Sequence, residues 1–217
     1  MSPGLDFVHR FVPGSDSSGA TLLLLHGTGG DENDLLPLGR GLAPEANLLS
    51  PRGQVLEHGM PRFFRRLAEG VFDQEDLRRR THELTDFVEA AVKEYGLDPS
   101  RLVAVGYSNG ANIAASMLLL RPGVLRAAVL LRAMVPFEPE RVPDLTGVPV
   151  LIAAGRMDRM IPQPNTERLA EILREAGAVV DLRWKDAGHP LTPQELEEVR
   201  DWLSGVFARL TSKVVDE

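Results

Sequence analysis

Five residues, Gly106-Tyr107-Ser108-Asn109-Gly110, follow the apolar run Leu102-Val103-Ala104-Val105 and lead into the small-residue and leucine-rich stretch 111–120. The pattern reads as a buried strand, a very tight turn and a helix, with a serine at the tip of a G-x-S-x-G motif. A serine there is held in a strained backbone conformation that lifts its hydroxyl above the sheet edge. The two glycines are predicted to be steric necessities, because a Cβ at either would meet the neighbouring strand and helix. Helix 109–120 points its free N–H groups and the positive end of its dipole at the serine, where an oxyanion would form. The motif occurs by chance roughly 0.1 times in a chain of this glycine content. Its placement between strand and helix, rather than its spelling, therefore marks Ser108 as a nucleophile.

A serine hydroxyl needs a general base. Of the five histidines, His189 lies just past the last apolar strand, in a loop opened by Lys185-Asp186-Ala187-Gly188. His9 falls in an edge strand, His58 in a long loop and His82 on the solvent side of a helix. His26 ends the first core strand and reads as a hydrogen-bonded structural residue. The imidazole needs an acid to hold its tautomer. Asp158, in Gly155-Arg156-Met157-Asp158-Arg159-Met160-Ile161-Pro162, gives the order serine, acid, histidine that suits a strand–turn–helix nucleophile. Asp186 competes from a position three residues before His189. The oxyanion donors are expected to be the backbone N–H of Asn109 and one from Gly27-Thr28-Gly29-Gly30, with Thr28 the choice.

Phe63, Phe64, Met134 and Val135 could wall a substrate pocket, against the alternative that they fill the core. Arg62, Arg65, Arg66 and Arg132 could meet an anionic group, against the alternative of a solvated surface. The glycine-rich loop is no dinucleotide fingerprint, because Glu32 stands where the third glycine is required. Asp31, Glu32 and Asp34 would also repel phosphate. No His/Asp/Glu cluster has metal-ligand spacing, so neither metal nor cofactor is expected.

These residues must be carried by a scaffold, and 217 residues suffice for one domain spanning 1–217 with a full core. The net charge of -7 argues against non-specific nucleic-acid binding and against an anionic membrane surface. The absence of cysteine excludes disulfides and thiol chemistry and suits a reducing compartment. There is no secretory pattern at Met1–Arg10 and no apolar run near the ~20 residues of a membrane span, so a cytoplasmic protein is expected. Apolar strands are predicted at 7–12, 20–26, 47–50, 102–105, 127–131, 148–154 and 179–184. Helices are predicted at 35–42 (capped from Asp31–Asp34), 73–95, 109–120, 163–176 and from 193, with a turn at 13–19 and long loops at 51–72 and 132–147. Gly96 should close the second helix as a left-handed cap, and Thr192-Pro193-Gln194-Glu195 is a capping box for the last. Alternation of apolar strands with amphipathic helices makes this an α/β chain, with a mainly parallel sheet of about seven strands covered on both faces. All the chemically interesting loops follow strands and so gather at one sheet edge.

With these residues placed, the chain resembles the α/β-hydrolases of the phospholipase/carboxylesterase group, relatives of the acyl-protein thioesterases. The matching blocks are 24–32 (Leu24-Leu25-His26-Gly27-Thr28-Gly29-Gly30-Asp31-Glu32), 50–53, 106–112, 155–158 with Pro162, and 188–189. The resemblance implies Ser108, Asp158 and His189 as a triad, Thr28 and Asn109 amides as oxyanion donors, no cofactor, no large cap domain and often a homodimer. The thioesterase branch carries Gln after the nucleophile. Asn109 brings this block nearer to bacterial carboxylesterases. The expected function is hydrolysis of small soluble carboxylic esters through an acyl-enzyme. Acyl-thioesterase or lysophospholipase activity on the same triad is the alternative, and a non-catalytic binding protein on this scaffold is a third reading.

Overall fold

A computed structural model describes residues 4–15 and 19–215, with side chains to 211. The sheet is built from β1 (His9–Val12), β2 (Thr21–Leu25), β3 (Asn47–Pro51), β8 (Leu102–Tyr107), β9 (Ala127–Leu131), β10 (Pro149–Gly155) and β11 (Val179–Lys185). Their spatial order is β1-β3-β2-β8-β9-β10-β11. Every pair is parallel except β1 with β3 at the edge. β2 and β8 are neighbours although 76 residues lie between Leu25 and Leu102. That crossover sets the two glycine-bearing turns side by side at the carboxyl edge.

Strand periodicity sorts side chains to two cores. Leu23 and Leu25 of β2, with Ala104 of β8, face α2 (Gln74–Glu94), α3 (Asn109–Leu120) and α4 (Gln163–Glu175). Leu22, Leu24, Val103 and Val105 face α1 (Leu36–Leu42) and α5 (Pro193–Val215). The central strands are buried on both faces, which is why they read as continuous apolar runs rather than alternating ones. Burial of each such leucine contributes about 1.5–3 kcal/mol. Among the described residues there is no large cap domain.

The helix ends follow local chemistry. Asp73 caps α2 by accepting from the Asp76 amide, and Gly96 (φ 63°) ends it as expected. The capping box forms reciprocally: Thr192 N–H donates to Glu195 at 2.8 Å, and Glu195 N–H donates to Thr192 Oγ1 at 3.3 Å. α1 departs from expectation. Its cap is Leu35, with no side-chain bond. Asp31 instead accepts from the Asn33 amide, and Glu32 pairs with Arg52 at 2.5 Å. The turn expected at 13–19 lies partly outside the described residues.

The connection 51–72 is not a plain loop. It folds into two small hairpins, β4 (Val55–Glu57) with β5 (Met60–Arg62), and β6 (Arg66–Ala68) with β7 (Val71–Phe72). The first turn is His58-Gly59, both with positive φ (52° and 82°), the conformation that tight hairpins demand. The second ends in Gly70 at φ 73°. These strands are too short to show apolar alternation, so only their two-residue, glycine-ended turns could have announced them.

Gly110 is the tightest point of the scaffold. A Cβ there would lie 1.9 Å from the Leu25 carbonyl oxygen. Gly110→Ala is expected to cost more than about 3 kcal/mol in urea unfolding, since backbone rather than a rotatable side chain blocks it. Gly41→Ala in α1, where a Cβ meets nothing within 4 Å, is expected to be neutral or to stabilise by up to about 1 kcal/mol.

Candidate active site

Ser108 sits between β8 and α3 at φ 52°, ψ -113°. This conformation costs an L-residue about 1–3 kcal/mol. It persists because its surroundings over-determine it. Ser108 N–H donates to the Leu131 carbonyl at 2.8 Å. On either side, Gly106 packs against the Gly110 carbonyl and Ala111, and Gly110 against β2, too closely for any Cβ. The strain directs the hydroxyl out of the sheet edge, toward His189.

His189 Nε2 lies 3.1 Å from Ser108 Oγ, and its Nδ1 lies 2.7 Å from Asp158 Oδ2. Asp158 has only 1% of its side chain exposed. Its other oxygen accepts from the amides of Met160 (2.8 Å) and Ile161 (3.3 Å), which fixes the carboxylate plane. Asp186, the competitor, is exposed and pairs with Arg156 instead. The three side chains form one hydrogen-bonded chain, the arrangement that can move a proton from hydroxyl to imidazole while the acid holds the tautomer.

The His189 loop is anchored by Arg132, which follows β9. All five guanidinium N–H groups are accounted for: Nε to Gly188 O, Nη1 to Ala153 O and Glu195 Oε1, Nη2 to Pro190 O and Glu195 Oε2, at 2.7–3.2 Å. Both partners of this ion pair are fully buried. Burial alone would push the Glu195 carboxyl up. The bonds from Arg132 and the Thr192 amide outweigh that and hold it below the ordinary carboxylate value. Arg132 adopts φ 58° to reach these partners. Tyr107 adds a bond from its hydroxyl to the His189 carbonyl at 3.2 Å.

The loop after β2 is held from two sides. His26 donates from Nδ1 to the Gly27 carbonyl (2.7 Å) and accepts at Nε2 from the Gly53 amide (2.9 Å), so it is the neutral Nδ1–H tautomer. Burial pushes its pKa down, against smaller upward pulls from the Gly27 carbonyl, Asp34, Asp31 and Glu32. From the other side Gly29 N–H bonds Pro61 O at 3.0 Å, and Arg62 Nη1 bonds Thr28 Oγ1 at 2.7 Å. Among the described residues the backbone N–H groups of Thr28 and Asn109 have no acceptor, which leaves them available to an incoming oxygen.

A cleft of about 430 Å³ opens over Ser108. Thr28, Asn109, Met134 and His189 line it, together with Arg62 and Arg66. Of the four residues expected as pocket walls, Met134 is on the lining. Phe63 and Phe64 are buried in the core below, Phe63 against the His26 ring, and Val135 packs against the same core. The arginines divide. Arg65 is exposed and pairs with Asp73. Arg132 and Arg62 are buried, which corrects the solvated-surface alternative for both. Sequence reasoning assigned no role to Asn112 and Asn165, whose side-chain carbonyls accept from the amides of Met134 (2.7 Å) and Val135 (2.8 Å) and pin the loop after β9. An arginine directly after a fully apolar strand was the available signal for Arg132. The asparagines carried none. No group of side chains that could hold a metal ion occurs among the described residues.

The family model described as Phospholipase/Carboxylesterase matches residues 9–207. The chain belongs to that family. MhqD of Bacillus subtilis (strain 168), named as a hydrolase, is 51% identical over 194 residues, covering 89% of this chain and 96% of that protein. The crystal structure of a Bacillus cereus carboxylesterase superposes with a TM-score of 0.90 at 49% identity, covering 93% of this chain and 95% of that one. A Mesorhizobium loti carboxylesterase gives 0.88 at 36% identity, with 94% and 97% covered. Family and neighbours support esterase activity for this hydrolase, on a shared α/β-hydrolase fold. Among the described residues, no helix is long and apolar enough to cross a membrane.

Breaking the buried pair of this hydrolase with Arg132→Met strands the Glu195 charge and is expected to cost about 3–5 kcal/mol in urea unfolding. Arg132→Met combined with Glu195→Leu is expected to recover most of that loss. His26 titrates differently in the two states. The folded chain keeps it neutral, while the unfolded imidazole takes up a proton below its ordinary 6.5. The unfolded state therefore binds more protons as pH falls, and stability drops by up to about 1.4 kcal/mol per pH unit below that value. Denaturation midpoints across pH 5–8 for wild type and His26→Asn check this: the variant is expected to show the flatter profile.

Proposed function

We propose that this chain is a serine carboxylesterase that hydrolyses small carboxylic esters through an acyl-enzyme, as a single domain without cofactor. The observation that carries the reading is the unbroken chain Ser108 Oγ, His189, Asp158 at 3.1 and 2.7 Å. His189 Nε2 takes the Ser108 proton as Oγ attacks the ester carbonyl, and Asp158 stabilises the imidazolium. The carbonyl oxygen, now negative, accepts from the Thr28 and Asn109 amides. Such donors are fixed in place before charge develops, and loss of one typically costs ~10²–10³ in rate. His189 then returns the proton to the departing alcohol, and water repeats the cycle on the acyl-enzyme. The cleft over Ser108, about 430 Å³, is at the small end of ligand-site volumes, which supports short substrates.

Fluorophosphonate labelling tests this directly. Wild type is expected to take the label and Ser108→Ala to refuse it. Ser108→Ala and Asp158→Asn are each expected to lower kcat on p-nitrophenyl acetate by about 10⁴-fold or more. A folded wild type that neither labels nor hydrolyses would remove the reading.

A further inference from the structure

The reaction at Ser108 leaves two donors in the same cleft unused. Arg62, at the end of β5, has only 4% of its side chain exposed. Its Nη1 donates to Thr28 Oγ1, and its Nε to the Phe64 carbonyl at 3.2 Å. These two atoms carry three of the guanidinium's five N–H groups. No hydrogen bond among the described residues engages Nη2. The second donor is the side chain of Asn109, 2% exposed. Its carbonyl oxygen is taken by the Phe63 amide at 2.8 Å, while its Nδ2 is buried without a partner. Both residues line the cleft over Ser108. A buried donor left unpaired is costly, and Asn109 Nδ2 is one; with Arg62 on the same lining, the two describe a place for an acceptor-rich group.

The charges set the kind of acceptor. Glu57 serves two cations: Arg66 Nε reaches both of its oxygens (2.9 and 3.1 Å), and Arg62 Nε comes within 3.2 Å. One carboxylate against two guanidinia leaves one positive charge at the wall. Arg132 adds nothing, because Glu195 neutralises it. Glu57 lies behind the lining; the carboxylate on the lining itself, Glu69, is exposed to water, where its charge is screened. A planar guanidinium is also the side chain best shaped for a carboxylate.

We propose that Arg62, helped by the Asn109 carboxamide, selects esters that carry a second, free carboxylate: half-esters of short dicarboxylic acids. This rests on the esterase reading above. The free carboxylate seats on Arg62 Nη2 while the ester carbonyl faces Ser108. Water cleaves the acyl–oxygen bond, giving one neutral alcohol and one dicarboxylate.

Monoethyl succinate and ethyl pentanoate, similar in length and differing in charge, compared by pH-stat titration of released acid, test the idea. Wild type is expected to favour monoethyl succinate by about tenfold or more in kcat/KM, the worth of one charge-assisted hydrogen bond. Succinate is expected to inhibit ethyl pentanoate hydrolysis competitively, and pentanoate to do so much more weakly. Arg62→Gln should erase the substrate preference and Arg62→Lys should keep part of it. Arg62 also holds Thr28, so the ratio of the two substrates is the readout rather than either rate. Should Arg62→Gln not fold, Glu57→Gln removes the competing carboxylate and is expected to raise the preference severalfold. Hydrolysis of ethyl pentanoate with no preference for the anion, or an unchanged ratio in Arg62→Gln, overturns this proposal and leaves the esterase reading standing. No hydrolysis of either substrate overturns both.

Discussion

The imidazole at the site hangs on a loop with no regular structure of its own, and one buried ion pair gives that loop its shape. Arg132 bonds the carbonyls of Gly188 and Pro190, which flank His189, and is itself held by Glu195 from the first turn of α5. Burying two charges is expensive, and a pair of apolar residues could contribute as much to stability. Apolar residues could not hold two carbonyl oxygens at fixed points on either side of a histidine. The pair thus links β9, α5 and the histidine loop into one rigid piece. Arg132 accepts a left-handed backbone to do so.

The same economy governs the opposite wall. The loop after β2 has only short turns of its own, the first with Gly30 N–H meeting Gly27 O at 3.1 Å. His26 ties its start to the Gly53 amide, and the β4–β5 hairpin ties its middle through Pro61 and Arg62. Ser108 stands between the two anchored loops, at a turn that glycines on both flanks allow to pack at backbone contact. Both loops beside Ser108 are thus held by polar bonds to distant segments.

Much of this was legible along the chain. Ser108 lies in a local strand–turn–helix signal that needs no distant partner to be recognised. His189 and Asp158 were legible because both follow apolar strands, and parallel topology sends such loops to one edge. The hairpins in 51–72 were hidden because three-residue strands carry no periodicity. Arg62 and Arg132 were misjudged for a related reason: a charged side chain reads as solvent-facing until its counter-ion is known. Glu195 is 63 residues from Arg132, and no local pattern joins them. Phe63 and Phe64 misled in the other direction. Aromatic residues in a functional loop look like pocket walls, and here they fill the core beneath it.

What the sequence determined by itself was the order and type of the main elements, the layered α/β architecture and the identity of the three side chains that meet at the sheet edge. These depend on periodicity, turn chemistry and chain order, which are properties of neighbours. Only the tertiary structure decided which charges are buried and paired, which polar atoms are left unsatisfied beside Ser108, and which residues line the cleft. Those outcomes depend on desolvation and on contacts between segments tens of residues apart. Such energies do not exist until the chain has closed on itself.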